Sequence, residues 1–273
     1  MKSKVLLPVL GFFLIPVILL SVFSCTGDGN ESKKIKPTSA VIKIILDHKV
    51  GDQEFKMNEM IYRSKAGYPY DIRTLRYFLS EFSFYIDTSE ALVVDTFHYV
   101  EASDAYKSTK TLILSNIPAG KYSGMSFIHG LDDTYNIPIS GMEAHSLPNE
   151  VNEYLDMYWP WQEDGQYHFM KYEGFYVKDK DTLSFKLHTG PTNGKANYIK
   201  LDKLDFTPLD LMAGDTLSIE LLMDMGKWID NDIVYDFNKF GKGIMKNQDA
   251  QDILKTNGKS VYSISKAEII KRK

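Results

Sequence analysis

The sequence predicts an all-β fold: an antiparallel β-sandwich of the Ig-like or Greek-key type, with long loops and one short C-terminal helix. Three observations predict it. About ten runs rich in Val, Ile, Leu, Phe and Tyr are separated by Gly, Pro, Asn and Asp turn residues. Apolar residues within those runs recur at every second position, the period of a strand with one buried face. A single segment near the C-terminus carries the start and stop signals of a helix.

The composition is that of a globular domain, and a net charge of −4 with no basic stripe argues against a nucleic-acid partner. Residues 1–25 read as a lipoprotein signal peptide. Lys2 and Lys4 precede an apolar run from Val5 to Phe23, and Val22-Phe23-Ser24-Cys25 resembles a lipobox. Cys25 is the only cysteine, so the chain has no internal disulfide. Acylation of Cys25 gives that thiol a use and tethers the protein to a membrane. The expected division is a flexible tether over 26–38, a β-sandwich domain over 39–265 and a basic tail over 266–273, in the bacterial cell envelope, either periplasm-facing or on the outer-membrane surface.

Ala40 to Asp47 is β-branched and reads as the first strand, ending at His48. In Arg73 to Asp87, Leu75, Tyr77 and Leu79 share one face, while Phe82, Phe84 and Ile86 share a face displaced by one residue. That slip predicts a bulge near Ser80-Glu81. Strands follow over Ala91 to Glu101, Thr109 to Ile117 and Lys121 to Gly130, the last with Met125, Phe127 and His129 on one face. Leu131 to Asp156 lacks alternation and reads as a long loop, a feature more often functional than idle. Tyr167 to Val177 and Thr182 to His188 form a hairpin about the polar turn Lys178 to Asp181. Ala196 to Phe206 and Asp215 to Met225 add two strands. Asp249 to Asn257 is the helix, closed by Gly258, and Val261 to Ile264 returns as a short strand.

No Gly-x-Ser-x-Gly elbow, HExxH or phosphate-binding loop is present, so no enzyme activity is expected. Metal ligation is the better lead. The histidines (His48, His98, His129, His145, His168, His188) are scattered, but strands of a sandwich bring distant residues together. Imidazole with thioether support suits copper. His48 and His188 each end a strand where a loop begins and lead the candidates, with His129 or Met157 completing the shell. Met170, Met223 and Met225 are either further donors or packing residues. Asp230, Asp232 and Asp236 fit a Ca²⁺ loop or, more simply, a solvated one. A competing reading rests on Tyr158, Trp159 and Trp161: these rings either plug one end of the core or form a stacking platform for carbohydrate or protein.

Several pieces in order resemble one family. They are Asp47-His48-Lys49, Arg76-Tyr77-Phe78-Leu79-Ser80, Ile117-Pro118-Ala119-Gly120-Lys121-Tyr122 and Phe127-Ile128-His129-Gly130-Leu131-Asp132. Met157-Tyr158-Trp159-Pro160-Trp161, the run from Tyr167 to Gly174 and Leu187-His188-Thr189-Gly190 complete the set. Together they resemble the MbnP family of secreted copper-binding proteins. The resemblance implies a β-sandwich and periplasmic or surface copper binding. It also implies ligation through histidines and an oxidised tryptophan (kynurenine), made by a di-haem partner of the cytochrome c peroxidase type. His48 falls where an N-terminal copper histidine would, yet no tryptophan follows it before Arg73. Trp159 and Trp161 belong to the aromatic motif and are expected to be mainly structural.

Overall fold

The computed structural model describes residues 38–86, 90–136, 156–159 and 166–272. The expected signal peptide, Cys25, His145 and Trp161 lie outside the described residues. Ten long strands carry the fold: β1 (Ala40–Val50), β2 (Thr74–Ile86), β3 (Glu90–Glu101), β4 (Thr111–Ile117), β5 (Gly120–His129), β6 (Met170–Lys178), β7 (Asp181–Thr189), β8 (Leu204–Leu211), β9 (Thr216–Asp224) and β10 (Tyr262–Ile270). They form two curled sheets, as the alternation predicts.

The first sheet runs β10–β9–β1, with β4 and the short strand Gln53–Glu54 on the other edge of β1. Along β1 every second residue is buried: Ala40, Ile42, Ile44, Leu46, His48 and Val50. His48 therefore sits on the inward row of an otherwise apolar strand. β1 and β9 run parallel, with His48 beside Met223, while the other strand pairs among the described residues are antiparallel. Parallel neighbours need a long crossover, and here the whole second sheet lies between them in the sequence.

The second sheet is organised by β2. One edge of β2 pairs with β3 along its length. The other edge is shared: Thr74 to Tyr77 pair with β6, and Leu79 to Ile86 pair with β5. The handover falls at Phe78, whose N–H donates to the Phe169 carbonyl at 3.0 Å and whose carbonyl accepts from Gly130 N–H at 2.8 Å. Gly130 lies at φ +112° with the Phe169 ring against it, where a Cβ would meet ring carbons at 2.9 Å. Only glycine suits both demands. The bulge is found where the phase slip places it, with Glu81 at φ +50° and the register shifting between Ser80 and Phe82. β7 and β8 complete this sheet through β6 and β5.

Between the sheets Ile42, Ile44, Leu75, Phe82, Phe84, Leu217 and Ile219 are fully enclosed, each such side chain contributing about 1.5–3 kcal/mol. Two short helices follow β9, α1 (Phe237–Phe240) and α2 (Gln248–Gly258), the latter capped by the Asn247 side chain accepting from Ala250 N–H. The structure departs from sequence expectation in the parallel β1–β9 pair, in the added helix α1 and in a strand at Leu204–Leu211 where the sequence predicts one over Ala196 to Phe206. It departs in three further places. Strand β10 runs to Ile270, because Ile264, Ala267 and Ile269 keep packing on the core, so residues 266–270 are sheet rather than tail. Asp104–Lys110 forms a 3₁₀ segment where the sequence reads as a plain break. The acids after β9 are used locally: Asp230 accepts from Lys65 N–H and the Asp236 side chain caps α1.

Gly174 in β6 tests this packing. A Cβ there would run into the Asp71 carbonyl oxygen and come within 2.9 Å of the Phe185 ring. Gly174→Ala is expected to lower stability by about 1–3 kcal/mol or more, read as a reduced urea midpoint; an unchanged midpoint contradicts the close approach of β6 to the segment just ahead of β2.

Candidate metal centre

Four of the five described histidines collect into two groups on opposite faces of the second sheet; His98 stands apart, its Nε2 2.7 Å from the Thr109 carbonyl. The outer group arises from the β6–β7 hairpin. Met170, Tyr172 and Tyr176 of β6 point to the core, so Lys171 and Glu173 point outward. His188 lies opposite Lys171 in the register and shares that outer face, one diagonal from Glu173. Its Nε2 stands 2.5 Å from Glu173 Oε1. The His188 contact holds the Glu173 carboxyl below the usual carboxylate range. Burial lowers the His188 imidazole, and that outweighs the pull of Glu173 the other way. A neutral imidazole beside an ionised carboxylate carries its proton on Nε2, which leaves Nδ1 as the bare nitrogen.

His168 sits in the break between the short strand Gln166–Tyr167 and β6, where the chain leaves one partner for another. Its N–H donates to the Met157 carbonyl at 2.7 Å, and its Nδ1 lies 3.0 Å from the same oxygen. A carbonyl only accepts, so Nδ1 holds the proton and Nε2 is bare. Burial drops the His168 pKa to about 3, with His188 and Lys171 adding to the shift. The two rings meet edge to face, 4.8 Å between centroids, and Trp159 stands 5.7 Å from His168. Each imidazole thus has one nitrogen fixed by a carboxylate or carbonyl and the other without a hydrogen bond among the described residues. That arrangement is how proteins prepare ligating histidines.

The backbone under His188 is held as well. Gln251 of α2 donates to the His188 carbonyl at 2.8 Å and accepts from Gly190 N–H at 3.4 Å. Lys171 Nζ reaches the Asp156 carbonyl, and Arg76 bridges Glu101 and Asp156. These ties fasten the segment carrying Met157 and Trp159 to the sheet.

The inner group lies between the sheets. His48 Nε2 is 3.0 Å from the Tyr77 hydroxyl. Tyr77 stacks on His129 at 5.6 Å and 27°, and His129 Nδ1 meets the Tyr262 hydroxyl at 2.8 Å. Trp228 packs on His129 at 4.8 Å and points its Nε1–H at Met223 Sδ, 3.5 Å away. Burial lowers both His48 and His129 to about 3, and Lys110 adds to the shift at His48. His48 also floors a polar cleft of about 820 Å³ rimmed by Phe55, Arg76, Glu101 and Lys110.

The structure therefore separates the two leading candidates: His48 faces inward from the first sheet, and His188 faces outward from the second. His48 does share a group with His129, as His188 does with His168. The Met157 side chain is fully enclosed with Phe78, Tyr167 and Phe169, and its carbonyl is what meets His168. Tyr158 packs against Tyr167 at 5.6 Å and Trp159 against His168 at 5.7 Å, and both are half-buried. Sequence reasoning ranks His168 below His48 and His188 and does not single out Glu173, Gln251, Trp228 or Tyr77 as site residues. A signal for Glu173 existed: the Lys178–Asp181 turn fixes the hairpin register, and that register alone sets Glu173 diagonal to His188.

Three buried imidazoles with folded-state pKa near 3 make a pH prediction. Below the unfolded value of about 6.5 the unfolded chain takes up protons that the folded chain refuses. Stability is full above about pH 6.5 and falls on acidification toward pH 3, each imidazole adding a slope approaching about 1.4 kcal/mol per pH unit. Urea midpoints flat between pH 7 and pH 4.5 would contradict this.

The MbnP family model matches residues 39–246. Among solved structures, MbnP from Methylosinus trichosporium is similar, at 14% identity over 82% of this chain and 97% of that chain, with a TM-score of 0.48. No curated protein matches the chain. With its whole β framework from β1 to β9 inside the matched region, the chain belongs to the MbnP family.

Proposed function

We propose that this protein binds copper at the outer face of its second sheet, through Nε2 of His168 and Nδ1 of His188, and serves copper acquisition or handling at the cell envelope. The observation that carries the reading is the fixing of both imidazoles. Glu173 and the Met157 carbonyl each take one ring proton, so two bare nitrogens are presented by neighbouring rings. Both donors are neutral and partly desolvated, which suits the low charge of Cu(I). Trp159 beside His168 fits the tryptophan-and-histidine chemistry that the family resemblance implies, and makes Trp159 the residue for a di-haem partner to oxidise. Anchoring through acylated Cys25 would keep the site at the membrane surface.

Competition titration with a Cu(I) chelator tests the site. His168→Ala and His188→Ala are each expected to remove one bound Cu(I) per chain, and Glu173→Gln to weaken that equivalent about 10–100-fold. Stoichiometry and affinity unchanged in both histidine variants would remove the proposal. Peptide mass spectrometry of protein from its native envelope is expected to find kynurenine at Trp159 and unmodified tryptophan at Trp228.

A further inference from the structure

The inner group has a feature that packing does not explain. His129 Nε2 is enclosed and has no hydrogen-bond partner, while its Nδ1 is taken by Tyr262. A bare polar atom in such a place costs about 1–3 kcal/mol, and in native proteins it points to a water or an ion. The surroundings decide which. Contacts run from His48 to Tyr77, Tyr77 to His129, His129 to Trp228 and Trp228 to Met223, and strand register sets Met223 beside His48 to complete a ring. The ring holds imidazole, thioether, phenol and indole and no carboxylate.

We propose that His129 Nε2 and Met223 Sδ form a second, interior site for Cu(I), with the Trp228 indole alongside. The cost of burying an ion rises with the square of its charge, so a neutral shell admits a monovalent ion far more readily than a divalent one. Thioether and imidazole together select Cu(I) among biological metals. Trp is the strongest aromatic partner for a desolvated cation. His48 is the member of the ring with the most exposure, 6% against 0–1% for Tyr77, His129, Met223 and Trp228, and it floors the polar cleft. It is the ring's outlet toward solvent. No residue of this site belongs to the outer one, so either can fail alone.

The test counts Cu(I) equivalents under anaerobic competition with a chelator. Wild type is expected to hold two, Met223→Leu one, and the His168→Ala/His188→Ala double variant one. Met223→Leu conserves volume, and its thermal midpoint checks that the core survives. With Trp159 and Trp161 replaced by Phe, Trp228 is the sole tryptophan, and its emission should change as the interior equivalent binds. If Met223→Leu folds and still takes up as much Cu(I) as wild type, with Trp228 emission static, the nitrogen is bonded to water only and the proposal is overturned. Loss of the outer site alone would show instead as a double variant indistinguishable from wild type.

Discussion

The arrangement depends on one backbone junction. Phe78 gives its N–H to Phe169 and its carbonyl to Gly130, and so clamps two strands end to end along a single edge of β2. Each clamped segment carries a histidine one residue earlier, His168 before Phe169 and His129 before Gly130. Because side chains alternate across a sheet, such a junction can send one histidine to the inside and another to the outside. Gly130 makes the close approach possible, and the Phe169 ring fills the space a Cβ would need. The two histidine groups are thus consequences of one handover in sheet pairing.

The two groups differ in what completes them. In the outer group, fixed acceptors hold the protons: a carboxylate on the neighbouring strand and a carbonyl from the Met157 segment. In the inner group the partners are phenols, which donate as well as accept. Burial pushes the Tyr77 and Tyr262 hydroxyls well above their ordinary range, so they stay protonated and can either donate to or accept from the imidazoles. The outer face is polar and partly exposed at Lys171, Glu173 and Arg76, whereas in the inner ring His48 is the most exposed member. α2 and β10 lie past residue 246, beyond the segment that matches the family, yet Gln251 holds His188 and Tyr262 holds His129. The last part of this chain steadies both groups.

Strands were legible because β-branched alternation and turn residues act locally. The bulge at Glu81 could be read from a one-residue phase slip, and α2 from its polar start and Gly258. Site geometry was less legible, because it depends on which strand meets which. Nothing local to Phe78 announces that its edge is shared, and without that junction His168 looks like any histidine among aromatics. The parallel pairing of β1 with β9 is equally silent in sequence, and it is what sets Met223 beside His48. Trp159 read as core plug or stacking platform for the same reason: its partner His168 is a neighbour in space, set by the pairing of Tyr158–Trp159 with Gln166–Tyr167 and not by spacing along the chain.

The central physical claim is that neighbours, not copper, set the proton positions on the outer imidazoles. Long-range ¹H–¹⁵N correlation NMR of the metal-free protein at pH 7 reads those positions directly. His168 should show its proton on Nδ1 and His188 on Nε2, with one equivalent of Cu(I) shifting only the two bare nitrogens. Opposite tautomers at either residue, or Cu(I) that leaves both rings unmoved, would contradict the account.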